Sequence, residues 1–375
     1  MQKYTLRYDA GRVRETNQRL QLVAQGKIPD RVPIFYNVPR QGPPPPKYDL
    51  FDDEQDLAYW VGARQQQWDG FPEGDFYPWI WAGTPFSQAI MASLFGAKIT
   101  VSASNGLANV EGRLIRDLEK DLPRLPRRID PETDGMGPRL KRRLQAWVAA
   151  TDGKIPIMPF DWQTPYGLAG MLMGDAELMV AMYETPELVR ELFDRATQAI
   201  IDLIAASQRW LGGPELCLLN NHMFHPGSGL ILHDDYISVL SPILHAKFCH
   251  PVNMRLFQKF GLGHLHTCGP VFPGYMDAIL RHRGVLSIDI SRYLRGMTHT
   301  REDMLELKRQ ARAAGMAIMG SPDYYSEEQG KPKLVPADRE LFEQLAAGGG
   351  LVLCFMGGPR ERGLELLRWG TDCYR

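Results

Sequence analysis

The chain has no run of basic residues, no apolar stretch long enough to span a bilayer and no disordered low-complexity tract. Its 43 Lys and Arg stand against 44 Asp and Glu, for a formal net charge of −1. That balance gives no electrostatic footprint for nucleic acid or an anionic membrane. The longest apolar stretches, around 199–206 and 351–356, fall far short of the roughly 20 residues that a membrane helix needs. The opening Met-Gln-Lys-Tyr-Thr-Leu-Arg-Tyr-Asp lacks the apolar core of a secretion signal. Cysteine is scarce: Cys217, Cys249, Cys268, Cys354 and Cys373 are an odd, scattered set. They predict reduced thiols in a cytoplasmic protein, not a disulfide framework.

What is present is an ordinary globular composition, 44% hydrophobic and 23% charged over 375 residues. This fits a single domain over 1–375, within the size range of an α/β barrel with additions. A helix is expected at about 13–25, ended by Gly26, and a buried strand at 32–37. The four prolines in Gln41-Gly-Pro-Pro-Pro-Pro-Lys47 enforce a stiff, extended connection. Residues 47–100, rich in Trp, Phe, Pro and Gly, read as an irregular excursion. They belong to an insertion of about 41–110 that forms a pocket wall or an oligomer contact.

From about residue 150 short apolar runs alternate with helical stretches. Strands are expected at 155–160, 215–219, 263–268, 285–290, 316–319 and 350–355. Thr185-Pro186-Glu187, Ser241-Pro242 and Thr300-Arg-Glu-Asp303 mark helix starts, and Gly315 a helix end. With 32–37 and a further strand near 98–103 the count is eight, which predicts a closed (β/α)8 TIM barrel. Active sites in that fold gather at the C-terminal strand ends. The polar residues expected there are Asn37 and Arg40, Asp161 and Gln163, Asn221 and His222, His266 and Cys268, Asp289, Ser321 and Asp323, and Cys354.

His266 and Cys268 stand two apart on an expected strand, so both side chains project to one side. Cys354, arriving from a later strand, would complete a His/Cys/Cys set, three ligands for zinc with an open fourth position. Two other readings remain at this level: the cysteines are buried core residues, or a cysteine is a nucleophile activated by His266. His264 lies on the same strand face and reads as a hydrogen-bonded core histidine or a supporting residue. His222-Met-Phe-His225 reads as a pocket-lining loop. Gly357-Gly358-Pro-Arg-Glu-Arg362 is either a phosphate-binding loop or an ordinary turn with solvated arginines.

Several ordered motifs together resemble the uroporphyrinogen decarboxylase superfamily, and within it the zinc-dependent corrinoid methyltransferases. They are Gly26-Lys-Ile-Pro-Asp-Arg-Val-Pro33, residues 155–167 followed by Thr185-Pro-Glu-Leu188, His233-Asp-Asp-Tyr236 with Leu240-Ser-Pro242, residues 263–269, and residues 351–358. The resemblance implies zinc at His266, Cys268 and Cys354, and soft thiolates with imidazole suit that ion. It implies methyl transfer between a corrinoid (cobalamin) and a zinc-activated small-molecule nucleophile such as a thiol. Asp161 or Asp289 would accept a proton or hold a ligand in place. Asp235 would face the pocket, with Arg40, Asn221, His222 and Asp323 contacting substrate.

The chain also departs from that pattern. Pro39-Arg40-Gln41-Gly42 runs into polyproline where the decarboxylases carry an arginine-rich grip for tetrapyrrole carboxylates, which speaks against porphyrinogen decarboxylation. No Asp-x-His-x-x-Gly corrinoid-binding motif occurs, so the corrinoid would arrive free or on a separate protein. Two other functions fit the same fold. One is a metal-free decarboxylase-like lyase working through carboxylates such as Asp161 and Asp289. The other is a non-catalytic corrinoid- or tetrapyrrole-binding protein.

Overall fold

The first helix, Ala10–Ala24, begins at Asp9, whose carboxylate accepts from the Gly11 N–H. It ends at Gly26, which has a φ of 71°. The Gly26 N–H donates to Val23 O at 2.9 Å and the Lys27 N–H to Leu22 O at 2.8 Å, satisfying terminal carbonyls. The computed structural model describes residues 1–39, 48–221, 229–267, 273–289 and 299–375. Its strands are β1 (Ile34–Asn37), β2 (Ile80–Trp81), β3 (Ile99–Val101), β4 (Ala108–Val110), β5 (Ile157–Met158) and β6 (Ile231–His233), followed by β7 (His264–His266), β8 (Ser287–Asp289), β9 (Ala317–Gly320), β10 (Tyr324–Glu328), β11 (Lys331–Val335) and β12 (Leu351–Gly357). Among the described residues no helix is long and apolar enough to cross a membrane.

The architecture is mixed α/β. Six strands form a parallel sheet in the order β1-β12-β9-β8-β7-β6, and β2 pairs in parallel with β5. The expected closed eight-stranded barrel is not drawn by these ladders: among the described residues the sheet is not closed. On one side the expected strand at 215–219 supplies a bridge from Cys217 to Ile157 but no ladder, with the Ile157 N–H donating to Leu216 O, the Leu218 N–H to Ile157 O and the Ile231 N–H to Leu219 O. On the other side β1 and β2 share no ladder. There the Asp75 carboxylate takes the Ile34 N–H at 2.6 Å while Arg19 and Arg31 pair with it. A side chain thus occupies a position that a neighbouring strand would fill.

Two further expectations are corrected. Residues near 98–103 form β3, which turns back as an antiparallel hairpin with β4 instead of joining the main sheet. Within the stretch read as irregular, Asp53–Gly70 is an 18-residue helix capped by the Asp52 carboxylate. Buried Arg143 holds this helix in place, its guanidinium 2.7 Å from Asp56 Oδ2 and 2.5 Å from Asp53 Oδ1. It also donates to Ala82 O at 3.2 Å and Leu50 O at 2.6 Å. Burial pushes the Asp56 carboxyl up to about 6 against the pull of Arg143.

One sheet face organises the site. Leu20 and Val23 of the first helix pack there with Ala317, Met319, Val352 and Cys354. Alternation along β8 puts Ser287 and Asp289 on one side, and Ser287 Oγ lies 3.3 Å from Met319 Sδ and 2.8 Å from His264 Nδ1. His264, His266, Asp289, Met319 and Cys354 therefore share that face.

Candidate functional site

β7 reads His-Leu-His, with all three residues buried. Pairing in register with β6 and β8 sets His266 opposite His233 and His264 opposite both Ile231 and Ser287. Asp289, the last residue of β8, meets both β7 imidazoles. Its Oδ2 lies 2.7 Å from His266 Nδ1 and its Oδ1 3.2 Å from His264 Nε2. Oδ2 also accepts the Thr267 N–H at 2.9 Å. Burial alone would raise the Asp289 carboxyl, but the imidazoles of His266 and His264 outweigh it and hold the group well below the usual carboxylate range. His264 spends its two nitrogens on Ser287 and Asp289, which makes it a support for the strand face. His266 turns Nδ1 to Asp289, the arrangement in which a carboxylate orients a metal-binding imidazole.

Asp161, just beyond β5, joins this group. Its Oδ1 lies 3.5 Å from His233 Nδ1, and Oδ2 accepts from Gln88 Nε2 at 3.4 Å. Burial pushes its carboxyl up to about 6; the Gln88 bond and the charge of His266 pull the other way, and Asp235 adds to the rise. The His233 and His266 ring centres are 4.8 Å apart. Gly83 makes room for this corner of the site: a Cβ there would come within 2.3 Å of the Phe160 Cα.

A second buried group, Asp234, His245 and His282, backs the first. His245 Nε2 lies 2.7 Å from Asp234 Oδ2, and Asn253 Nδ2 donates to the same oxygen at 2.8 Å. The Asp234 N–H donates to His266 O at 2.8 Å, tying this network to the end of β7. Among the described residues His264, His266 and Asp289 form one set, and Asp234, His245 and His282 another, whose donor atoms lie within 4.8 Å of one another, the spacing of a metal site.

Beside Cys354 opens a cavity of about 360 Å³, lined by Trp60, Trp79, Trp81, Arg64 and Asn221 among others. Arg64 stacks on Trp79, 4.0 Å from the ring centre, and burial pushes its guanidinium down to about 10.

Neither a protein-family profile nor a curated protein sequence matches this chain. Among solved structures, it is similar to a methyltransferase from Methanosarcina mazei, with a TM-score of 0.59 and 14% sequence identity. The match covers 96% of this chain and 99% of that one. The likeness is one of fold.

Of the residues expected to carry the site, Asp161, His266 and Asp289 come together, with Asp235 near enough to act on the Asp161 charge. Cys354 and Asn221 line the cavity. Arg40, His222 and Cys268 lie outside the described residues. Asp323 is engaged elsewhere: its Oδ1 accepts the Ala337 N–H at 2.9 Å and lies 3.6 Å from Arg362. The expected 357–362 loop is cut short, since Arg360 opens the helix Arg360–Asp372; Arg360 pairs with Glu73, and Arg362 with Glu365 at 2.6 Å, so both arginines already carry carboxylates. His233 opens the His233-Asp-Asp-Tyr236 motif but, like Gln88, Ser287 and Arg64, is not among the site residues expected from the sequence. His233 was the most accessible of them, since it closes the apolar run Leu230-Ile-Leu-His233 as a strand-end residue does.

Proposed function

We propose that this chain is a zinc-dependent methyltransferase that moves a methyl group between a corrinoid and a small-molecule nucleophile. The observation that carries this reading is the Asp289 carboxylate set 2.7 Å from His266 Nδ1 on a buried strand end. A metal at His266 would be held through Nε2, with Asp289 fixing the ring from behind. Cys354, buried on the same sheet face, and Cys268, two residues beyond His266 in the sequence, would supply thiolates. Bound there, zinc would lower the pKa of a thiol or hydroxyl at the open position, so that its conjugate base is available for methyl exchange.

The protein's own groups divide the remaining work. Asp161, with its carboxyl raised to about 6, takes or returns the nucleophile's proton near neutral pH. His264 and Ser287 lock Asp289, and the Asp234 network fixes the carbonyl end of β7. Likeness of fold to a methyltransferase over nearly the whole chain supports the reading. The bonds through Leu216 and Leu219 support a (β/α)8 plan interrupted between β1 and β2. The corrinoid would be a co-substrate, free or carried on a separate protein in the cytoplasm.

The raised carboxyl of Asp161 also favours a second reading, a metal-free lyase in which Asp161 is the acid–base group. Demethylation of methylcobalamin, followed by visible absorbance, separates the two. Methyl transfer requires that chelation abolish turnover and added zinc restore it, and that Asp289→Asn weaken metal affinity by about 10–100-fold. Full activity after exhaustive chelation would leave the lyase.

A further inference from the structure

We propose that the tryptophan-walled cavity beside Cys354 binds a planar aryl carboxylate, with Arg64 as the anchor for its carboxylate. This deepens the methyl-transfer reading and rests on it for one point: the oxygen or sulfur substituent that gains or loses the methyl sits on the aryl ring.

Arg64 carries a charge that no carboxylate among the described residues offsets. Arg19, Arg31, Arg143 and Arg195, the buried arginines, each carry a carboxylate, whereas Arg64, half-buried in the cavity wall, does not. Arg64 makes no ion pair among the described residues. Its Nε donates to Trp79 O at 2.9 Å and its Nη1 to Gln67 Oε1 at 2.7 Å, both neutral acceptors. A guanidinium has five N–H donors in a planar fork, and Nη2 makes no hydrogen bond among the described residues. That fork matches the two oxygens of a carboxylate. Two further polar atoms of the lining, Trp81 Nε1 and Asn221 Oδ1, are buried with no hydrogen-bond partner among the described residues.

The walls determine the rest of the ligand. Trp60 and Trp79 stack with centres 6.3 Å apart at 28°, and Trp81 meets Trp60 edge-on at 5.8 Å. Such broad indole surfaces favour a flat aromatic body. They do not form a cage for a quaternary ammonium, because Arg64 already lies 4.0 Å from the Trp79 centre and 5.8 Å from that of Trp60. A ligand cation would meet that guanidinium at close range. The cavity, about 360 Å³, falls at the small end of ligand sites, suited to a single substituted ring.

The test uses the full chain without added zinc or corrinoid, so that its outcome is independent of turnover. Binding of 3-methoxybenzoate is followed by calorimetry and tryptophan fluorescence, against anisole, cyclohexanecarboxylate and tetramethylammonium at equal concentration. The expected result is saturable binding of 3-methoxybenzoate, at least tenfold tighter than that of any of the three controls. Arg64→Gln should weaken it at least tenfold, with Arg64→Lys intermediate. No saturable binding, equal affinity for cyclohexanecarboxylate or anisole, preference for the cation, or a folded Arg64→Gln that binds as well as the parent overturns the proposal. The controls on the unaltered protein keep the test decisive if the variants misfold. Failure here leaves the methyltransferase reading intact, and failure of methylcobalamin demethylation leaves the binding result intact.

Discussion

At the scale of single residues, the site depends on how each buried polar group is satisfied. Asp289 accepts from a backbone N–H and meets two imidazoles, so one carboxylate orients both β7 histidines. His282 is the opposite case, a fully buried imidazole kept neutral. Its Nδ1 lies 3.2 Å from Ala278 O, and Asn253 Nδ2 approaches its Nε2 at 3.4 Å. Burial pushes its pKa down to about 4, against the pull of Asp234. In the unfolded chain a histidine titrates near 6.5. Between those values the unfolded state binds a proton that the folded state refuses, so stability is lost as pH falls from about 6.5 to 4, by up to roughly 3 kcal/mol. Urea unfolding across that window should show a shallower acid loss for His282→Gln than for the parent; parallel curves would contradict the assignment. In the sequence, His266, Asp161 and Asp289 were legible because a polar residue ending an apolar run marks a strand end. The Asp289–His266 pairing was not, since it depends on the register between two strands. Arg64 was hidden for a similar reason: its missing counter-charge is a fact of three-dimensional surroundings.

At the scale of elements, the helix Ala10–Ala24 matters more than its place at the start of the chain implies. Leu20 is fully buried and, with Val23, packs on the sheet face that carries Cys354. Leu20→Ala should cost about 2–5 kcal/mol through lost burial and a residual cavity, read as a lowered denaturation midpoint with an unchanged urea slope. A loss below about 0.5 kcal/mol, typical of surface positions, would mean the helix is not packed there. This helix was readable from its glycine stop. The helix Asp53–Gly70 was not, because only Asp56, Leu57 and Val61 are buried along it, too narrow a stripe to show a period. The β10–β11 hairpin was missed because Glu-Glu-Gln-Gly reads as polar coil. Its turn uses positive φ at Gln329 (55°) and Gly330 (73°), the conformation two-residue hairpins favour. β6 is three residues long and depends on β7 for its definition, while the expected strand at 215–219 kept only bridging bonds.

At the scale of the whole molecule, parallel pairing of β6 through β9, β12 and β1 brings residues from distant parts of the chain to one sheet face. His233, His266 and Asp289 stand at the ends of consecutive strands, and Cys354 shares their face three strands from His266. Trp60, Tyr77, Trp79 and Trp81, from the stretch that the sequence suggests as a pocket wall or an oligomer contact, supply most of the aromatic lining of the adjacent cavity. In the proposed enzyme this face holds one metal through an imidazole and thiolates. Cobalt(II) substitution followed by electronic absorption tests it most directly, because thiolate-to-cobalt charge transfer reports sulfur ligation without reference to turnover. The expected result is stoichiometric uptake with an intense near-ultraviolet band, weakened in Cys354→Ser and lost with metal binding in His266→Ala. Absence of uptake, or a band unchanged by Cys354→Ser, would contradict it.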